Sequence, residues 1–141
     1  MWRGFVLSIL VAGCAAQLPL TPEDIRARKF ESVPDQAVIY LVRDSLDSSD
    51  VGASIYLGEK LMITTYPGTY FRWVVPAGAH RIVGAGADPG RITVDVQSGR
   101  IYFVQQQVTL GGRVIGISNF ELVSEANGRA AVLRSVLLAA P

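Results

Sequence analysis

From Ala37 onward most apolar segments alternate with a period of two, and glycine or proline breaks the run every few residues. A helix repeats about every 3.6 residues, so this period puts alternate side chains on opposite faces of short strands. Ala37-Val38-Ile39-Tyr40-Leu41-Val42-Arg43 is a strand closed by the polar loop Asp44 to Asp50. Val51, Ala53, Ile55 and Leu57 alternate with smaller or polar positions, and Gly58-Glu59 turns tightly into Lys60 to Thr64. Tyr66-Pro67-Gly68-Thr69 leads into Tyr70 to Val75, and Pro76-Ala77-Gly78 into His80 to Val83. After Asp88-Pro89-Gly90, Ile92, Val94 and Val96 point one way and Arg91, Thr93 and Asp95 the other. Ser98-Gly99 opens Ile101 to Val108, and Gly111-Gly112 opens Val114 to Val123. Strands this short and closely spaced predict a mainly β fold, an antiparallel β-sandwich of about eight strands.

The two ends read differently. Thr21-Pro22-Glu23-Asp24 starts a short helix, with a capping hydroxyl, an early proline and carboxylates at the positive dipole end. Val33-Pro34-Asp35 stops it, leaving a spacer or a plug on the domain edge. Ser124 to Asn127 can cap a C-terminal helix in which Ala130, Leu133 and Leu137 share a face, with Gly128 weakening its start. The helix is expected to pack on the sandwich or cover an edge strand.

The only cysteine, Cys14, follows Leu10-Val11-Ala12-Gly13. This run resembles the lipobox of bacterial lipoproteins, with Cys14 in the acceptor position. Arg3, the apolar centre Phe5 to Leu10 and the small residues before Cys14 have the layout of an export signal, too short to span a bilayer. The resemblance implies thioether lipidation of Cys14 and cleavage between Gly13 and Cys14. Ala15, not being aspartate, implies an outer-membrane address. A single acyl chain holds only marginally and two or three hold stably, so the lipid is the membrane partner. The expected layout is therefore signal 1–13, tether with short helix 14–36, sandwich 37–123 and C-terminal helical segment 124–141.

Composition narrows the function classes. The chain of 141 residues carries 13 basic and 12 acidic side chains, and removing Arg3 with the signal leaves 12 of each. A neutral domain lacks the basic stripe that nucleic acid requires and the charge that would hold it to anionic lipid. With its one cysteine assigned to the anchor, the domain has no internal disulfide.

Several pieces occur in a consistent order: Tyr40 to Arg43, Tyr56-Leu57-Gly58-Glu59-Lys60-Leu61, Tyr70-Phe71 running into Pro76-Ala77-Gly78-Ala79-His80, and Ser98-Gly99-Arg100-Ile101-Tyr102. Together they resemble a bacterial lipoprotein group known as a domain of unknown function, DUF 2846, over about Ala37 to Leu122. The chain departs from the group at Ile101-Tyr102-Phe103, where two adjacent tyrosines are expected. The resemblance implies no reaction, cofactor or site.

Candidates for chemistry are few. His80 is the only histidine, with no Gly-x-Ser-x-Gly elbow and no second histidine or free cysteine to complete a zinc site. It is expected to be a strand residue hydrogen-bonded near the turn. Asp44, Asp47 and Asp50 share a loop, but without the central glycine and terminal glutamate of a calcium loop, so a solvated loop is expected and no metal is assigned. Gly84 to Gly90 has the wrong spacing for a phosphate loop, and no helix follows it. Gln105 to Gln107 put amides into an apolar strand. Trp73, Tyr70, Tyr40 and Tyr56 would suit a carbohydrate or peptide surface if they point outward, although sandwich aromatics usually fill the core. With Phe71 and Trp73 inward, Tyr40, Tyr70 and Arg72 form the candidate binding face.

The function expected is a lipid-anchored, non-enzymatic binding or structural module facing the periplasm, with no cofactor. The alternatives are a subunit of an envelope complex, with an envelope protein as partner, and a cell-wall hydrolase using His80.

Overall fold

The computed structural model describes residues 19–111 and 114–141. Gly13, Cys14, the rest of the expected signal and Gly112 lie outside them. In chain order the elements are α1 (Pro22–Ala27), β1 (Ala37–Arg43), β2 (Ala53–Leu57), β3 (Leu61–Thr65), β4 (Thr69–Val75), β5 (Gly78–Gly84), β6 (Arg91–Val96), β7 (Ile101–Gly111), β8 (Val114–Val123), α2 (Glu125–Leu133) and β9 (Val136–Leu137). The strands form two sheets, ordered β8-β7-β1-β4-β9 and β3-β2-β5-β6. This is the expected β-sandwich with a helix towards each end.

β1 is the middle strand of the larger sheet, and all seven of its residues are buried. Its apolar run is continuous because both of its faces are covered. Ala37, Ile39 and Leu41 point into the sandwich against Ile55, Leu57, Phe71, Ile82 and Val94. Val38, Tyr40 and Val42 point the other way, against Phe30, Tyr70 and Phe103 and the helical residues Ala27, Ala131 and Val132. The molecule therefore has three layers: the smaller sheet, the larger sheet, and helices on the larger sheet's outer face.

Most strand pairs are antiparallel, but β1 runs parallel to β7 and β4 runs parallel to β9. A parallel pair needs a long crossover. Between β1 and β7 the chain supplies one by building β2 to β6, so the smaller sheet lies inside the connection.

Both helices begin as their sequences predict. The Thr21 hydroxyl accepts from the Asp24 N–H at 3.2 Å, and the Ser124 hydroxyl accepts from the Asn127 N–H at 3.2 Å. The C-terminal reading needs correction. α2 stops at Leu133 and buries Gly128, Ala131 and Val132, leaving Leu133 54% exposed. Leu137 belongs to β9, where Val136 and Leu137 lie beside Thr69 and Tyr70. A helix continued to the end would have left the open backbone of β4 there without partners, and the strand pairing supplies them.

Gly128 is present because of packing. A Cβ at this position would overlap the ring of Phe103, so only glycine lets α2 lie this close to β7. Gly128→Ala gains about 1 kcal/mol of helix propensity, yet the overlap should outweigh it. We expect a net loss of about 1–2 kcal/mol, read as a lower urea midpoint. A raised midpoint would mean that α2 shifts freely on the sheet.

Candidate functional site

The Tyr40, Tyr70 and Arg72 face is not open. Tyr40 and Tyr70 do point away from Phe71, but α1 and α2 lie over them and both are 0% exposed. The Tyr40 hydroxyl donates to the Ala27 carbonyl at 2.6 Å, and the Tyr70 hydroxyl to Asp24 at 2.6 Å. Arg72 is half-buried and donates to the Glu31 carbonyl at 3.3 Å. Alternation separated the two faces correctly but carried no information about the cover. These two tyrosines are core residues that fasten α1.

The fastening centres on Asp24, which is 2% exposed. Its carboxylate also accepts from Arg28 Nε at 2.7 Å and from the Leu137 N–H at 2.9 Å. Burial pushes the Asp24 carboxyl up, but the hydrogen bonds from Tyr70, Arg28 and Leu137 outweigh that and hold it below the ordinary value. Arg28 also donates to the carbonyls of Leu133 and Ser135. The short helix is thus a plug that grips the C-terminal strand.

The aspartate loop is more buried than expected. Arg43, 0% exposed, sends Nε to Asp47 at 2.8 Å and its terminal nitrogens to the carbonyls of Ser49, Val51 and Thr65. Asp47 also accepts from the Val108 N–H, and Asp44 is held by Arg134. The hydrogen bond from Arg134 lowers the Asp44 carboxyl against the opposing effect of burial. Two of the three carboxylates are therefore committed to arginines, and only Asp50 faces water. Among the described residues, no three His, Cys, Asp or Glu side chains gather as a metal site. Gln106 is buried and bonds sideways, accepting from Thr65 at 2.7 Å and donating to Ser118 at 2.8 Å.

His80 behaves as expected for a strand residue near a turn. Its Nε2 donates to the Pro76 carbonyl at 2.7 Å, and its ring meets Trp73 edge-on, centroids 5.5 Å apart. It borders an open groove of about 490 Å³ with Tyr56, Gly58, Glu59, Ala79, Arg81 and Val83. Glu59 is the only carboxylate in that lining.

This groove lies beside the outer face of the smaller sheet, which neither α1 nor α2 covers. Across it, strand register sets Tyr56 next to Met62 on one side and Val83 on the other. Tyr56 is 42% and Met62 48% exposed. Val83 in turn faces Arg91, and Arg81 faces Thr93. Of the four aromatics singled out in the sequence, Tyr56 is the most open to solvent; Trp73 is half-buried and packs against the core from its edge. No family model matches the chain, and no curated protein or solved structure is significantly similar to it.

Sequence reasoning named Tyr56 but missed Met62, Val83, Arg81 and Glu59 as its neighbours. The signal was present locally. Ile55 and Leu57 inward force Tyr56 outward, and a hairpin turning at Gly58-Glu59 brings Met62 beside it.

A second open feature lies at the edge of β4. The Leu138 N–H donates to the Tyr70 carbonyl at 2.8 Å, so the backbone groups of Tyr70, and by alternation those of Arg72 and Val74, point away from β1. β9 covers only Thr69 and Tyr70, and among the described residues no backbone group pairs with Arg72 or Val74 on that side. A groove of about 630 Å³ runs along this edge, lined by Ala27, Phe71, Arg72, Leu137 and Leu138 among others.

Proposed function

We propose that the chain is an exported lipoprotein whose β-sandwich serves as a non-enzymatic binding module of the bacterial envelope. The observation that carries the reading is the run Leu10-Val11-Ala12-Gly13-Cys14 behind Arg3 and an apolar stretch. Cys14 would carry the lipid, and Ala15 favours the outer membrane, facing the periplasm. No helix among the described residues is long and apolar enough to cross a membrane. The likeness to the DUF 2846 lipoproteins stands on its turn-and-strand pieces alone.

The non-enzymatic part is supported by the groove at His80. Nucleophilic or general acid–base chemistry needs a positioned partner for the histidine. Here Nε2 is engaged by a backbone carbonyl, and Glu59, the one carboxylate in the lining, makes no hydrogen bond to the ring. A binding role is supported by the asymmetry of the sandwich. Helices seal the aromatic face of the larger sheet, and the outer face of the smaller sheet stays open around Tyr56.

Replacing Cys14 with alanine in full-length protein should move it from detergent-extracted membranes into the soluble fraction. Continued membrane retention that only detergent relieves would sink the anchor. A second reading, a subunit of an envelope complex, is favoured by the edge at Arg72 and Val74, unpaired among the described residues, since such an edge accepts an added strand. In-cell crosslinking distinguishes it, because a complex subunit must recover a stoichiometric partner.

A further inference from the structure

We infer that the Tyr56 face is a carbohydrate site, taking a neutral pyranose of an oligosaccharide chain against the tyrosine ring. The inference rests on the binding-module reading above and names its ligand class and contact residues.

Three observations lead to this ligand. The first is shape. Tyr56 stands on the open sheet face between Met62 and Val83, which gives an apolar strip with an aromatic ring at its centre. A pyranose has one face of C–H groups and a rim of hydroxyls, so it can lay the C–H face on such a ring. The second is the rim of the groove, where Glu59 accepts and Arg81 donates, one charge of each sign. Sites for small ligands combine an apolar floor with a few placed polar groups in about 300–1,000 Å³, and 490 Å³ falls within that range. A rim with balanced charge suits a neutral polyol better than a phosphate or a cation.

The third is scale. A stable protein interface buries about 800 Å² on each partner. The open apolar strip is only three side chains wide, Met62, Tyr56 and Val83, and charged or polar residues (Arg91, Arg81, Thr93) follow it immediately. Three apolar side chains are few for the core of a protein interface of that size and suit a small ligand better. Tyr66 is as exposed as Tyr56, at 51%, but lies outside this groove, so an exposed tyrosine alone does not make the site.

The test uses the purified full-length protein and a panel of soluble oligosaccharides built from glucose, mannose and N-acetylglucosamine, read by saturation-transfer NMR and calorimetry. Saturable binding to at least one of them is expected. Tyr56→Ala should weaken it at least about tenfold, while Tyr56→Phe, which keeps the ring, retains most of it. Arg81→Ala should weaken it less, and Tyr66→Ala should leave it unchanged. Far-UV circular dichroism on each variant checks that the sandwich remains folded. No binding to any member of the panel overturns the ligand class. Binding that survives Tyr56→Ala in a folded variant overturns the site but leaves the binding-module reading intact. Membrane fractionation of Cys14→Ala is an independent readout, so failure of the anchor does not affect this result.

Discussion

Arg43→Met should cost about 3–5 kcal/mol of folding stability, read as a large drop in urea midpoint at neutral pH. That is a substantial share of the 5–15 kcal/mol that holds a typical domain together. The cost does not come from lost ion-pair energy, since methionine fills much of the same volume. It comes from what remains: a buried carboxylate on Asp47 and the carbonyls of Ser49, Val51 and Thr65, all deprived of a donor. With Arg43 at 0% and the Asp47 side chain at 4% exposure, water cannot replace those bonds. The second change Asp47→Asn, by removing the stranded charge, should recover part of the loss. A midpoint for Arg43→Met equal to the parent's would mean that the loop 44–52 opens without consequence for the core.

The second large effect concerns acid. The Asp24 pKa is lower in the folded chain than in the unfolded chain. Its contribution is therefore complete above the unfolded value, near pH 4, and is lost as pH falls through the folded value. Asp44 shifts in the same direction, so the two share the acid limb. Asp24→Asn should lower stability by about 2–3 kcal/mol at pH 7, somewhat less than a fully buried pair because Arg28 stays partly in water. It should also flatten the decline below pH 4. The same slope in variant and parent, in melting followed from pH 7 to pH 2.5, would remove Asp24 from the acid response.

These residues also show which parts of the fold were legible. β1 could be read because seven consecutive residues from Ala37 to Arg43 suit a strand covered on both faces, and β6 because Ile92, Val94 and Val96 alternate cleanly with polar residues. Local chemistry settled both helix starts, through Thr21 and Ser124. What escaped was set by distant partners. Val136 and Leu137 carry no strand period of their own; they become β9 because β4 offers an edge and Asp24 offers an acceptor for the Leu137 N–H. Arg43 at a strand end next to three aspartates reads as solvated until Val51 and Thr65 close over it. Tyr40 and Tyr70 were placed on the correct face, yet exposure depended on α1 and α2, which arrive from opposite ends of the chain. Tyr56 was the reverse case. Its outward direction was local, and only its exposure had to come from the structure.

The pairing of β1 with β7 bears on the order of events during synthesis. Val38 sits beside Ile101, and the middle strand of the larger sheet cannot gain that neighbour until the chain has grown past it. α1 waits longer still, since the amide that Asp24 grips belongs to Leu137. A chain emerging from its N-terminus can form the β2–β3 hairpin early, but its two ends lock only when both are free. Such non-local closure makes folding slow. The sandwich therefore closes only once Leu137 has joined it.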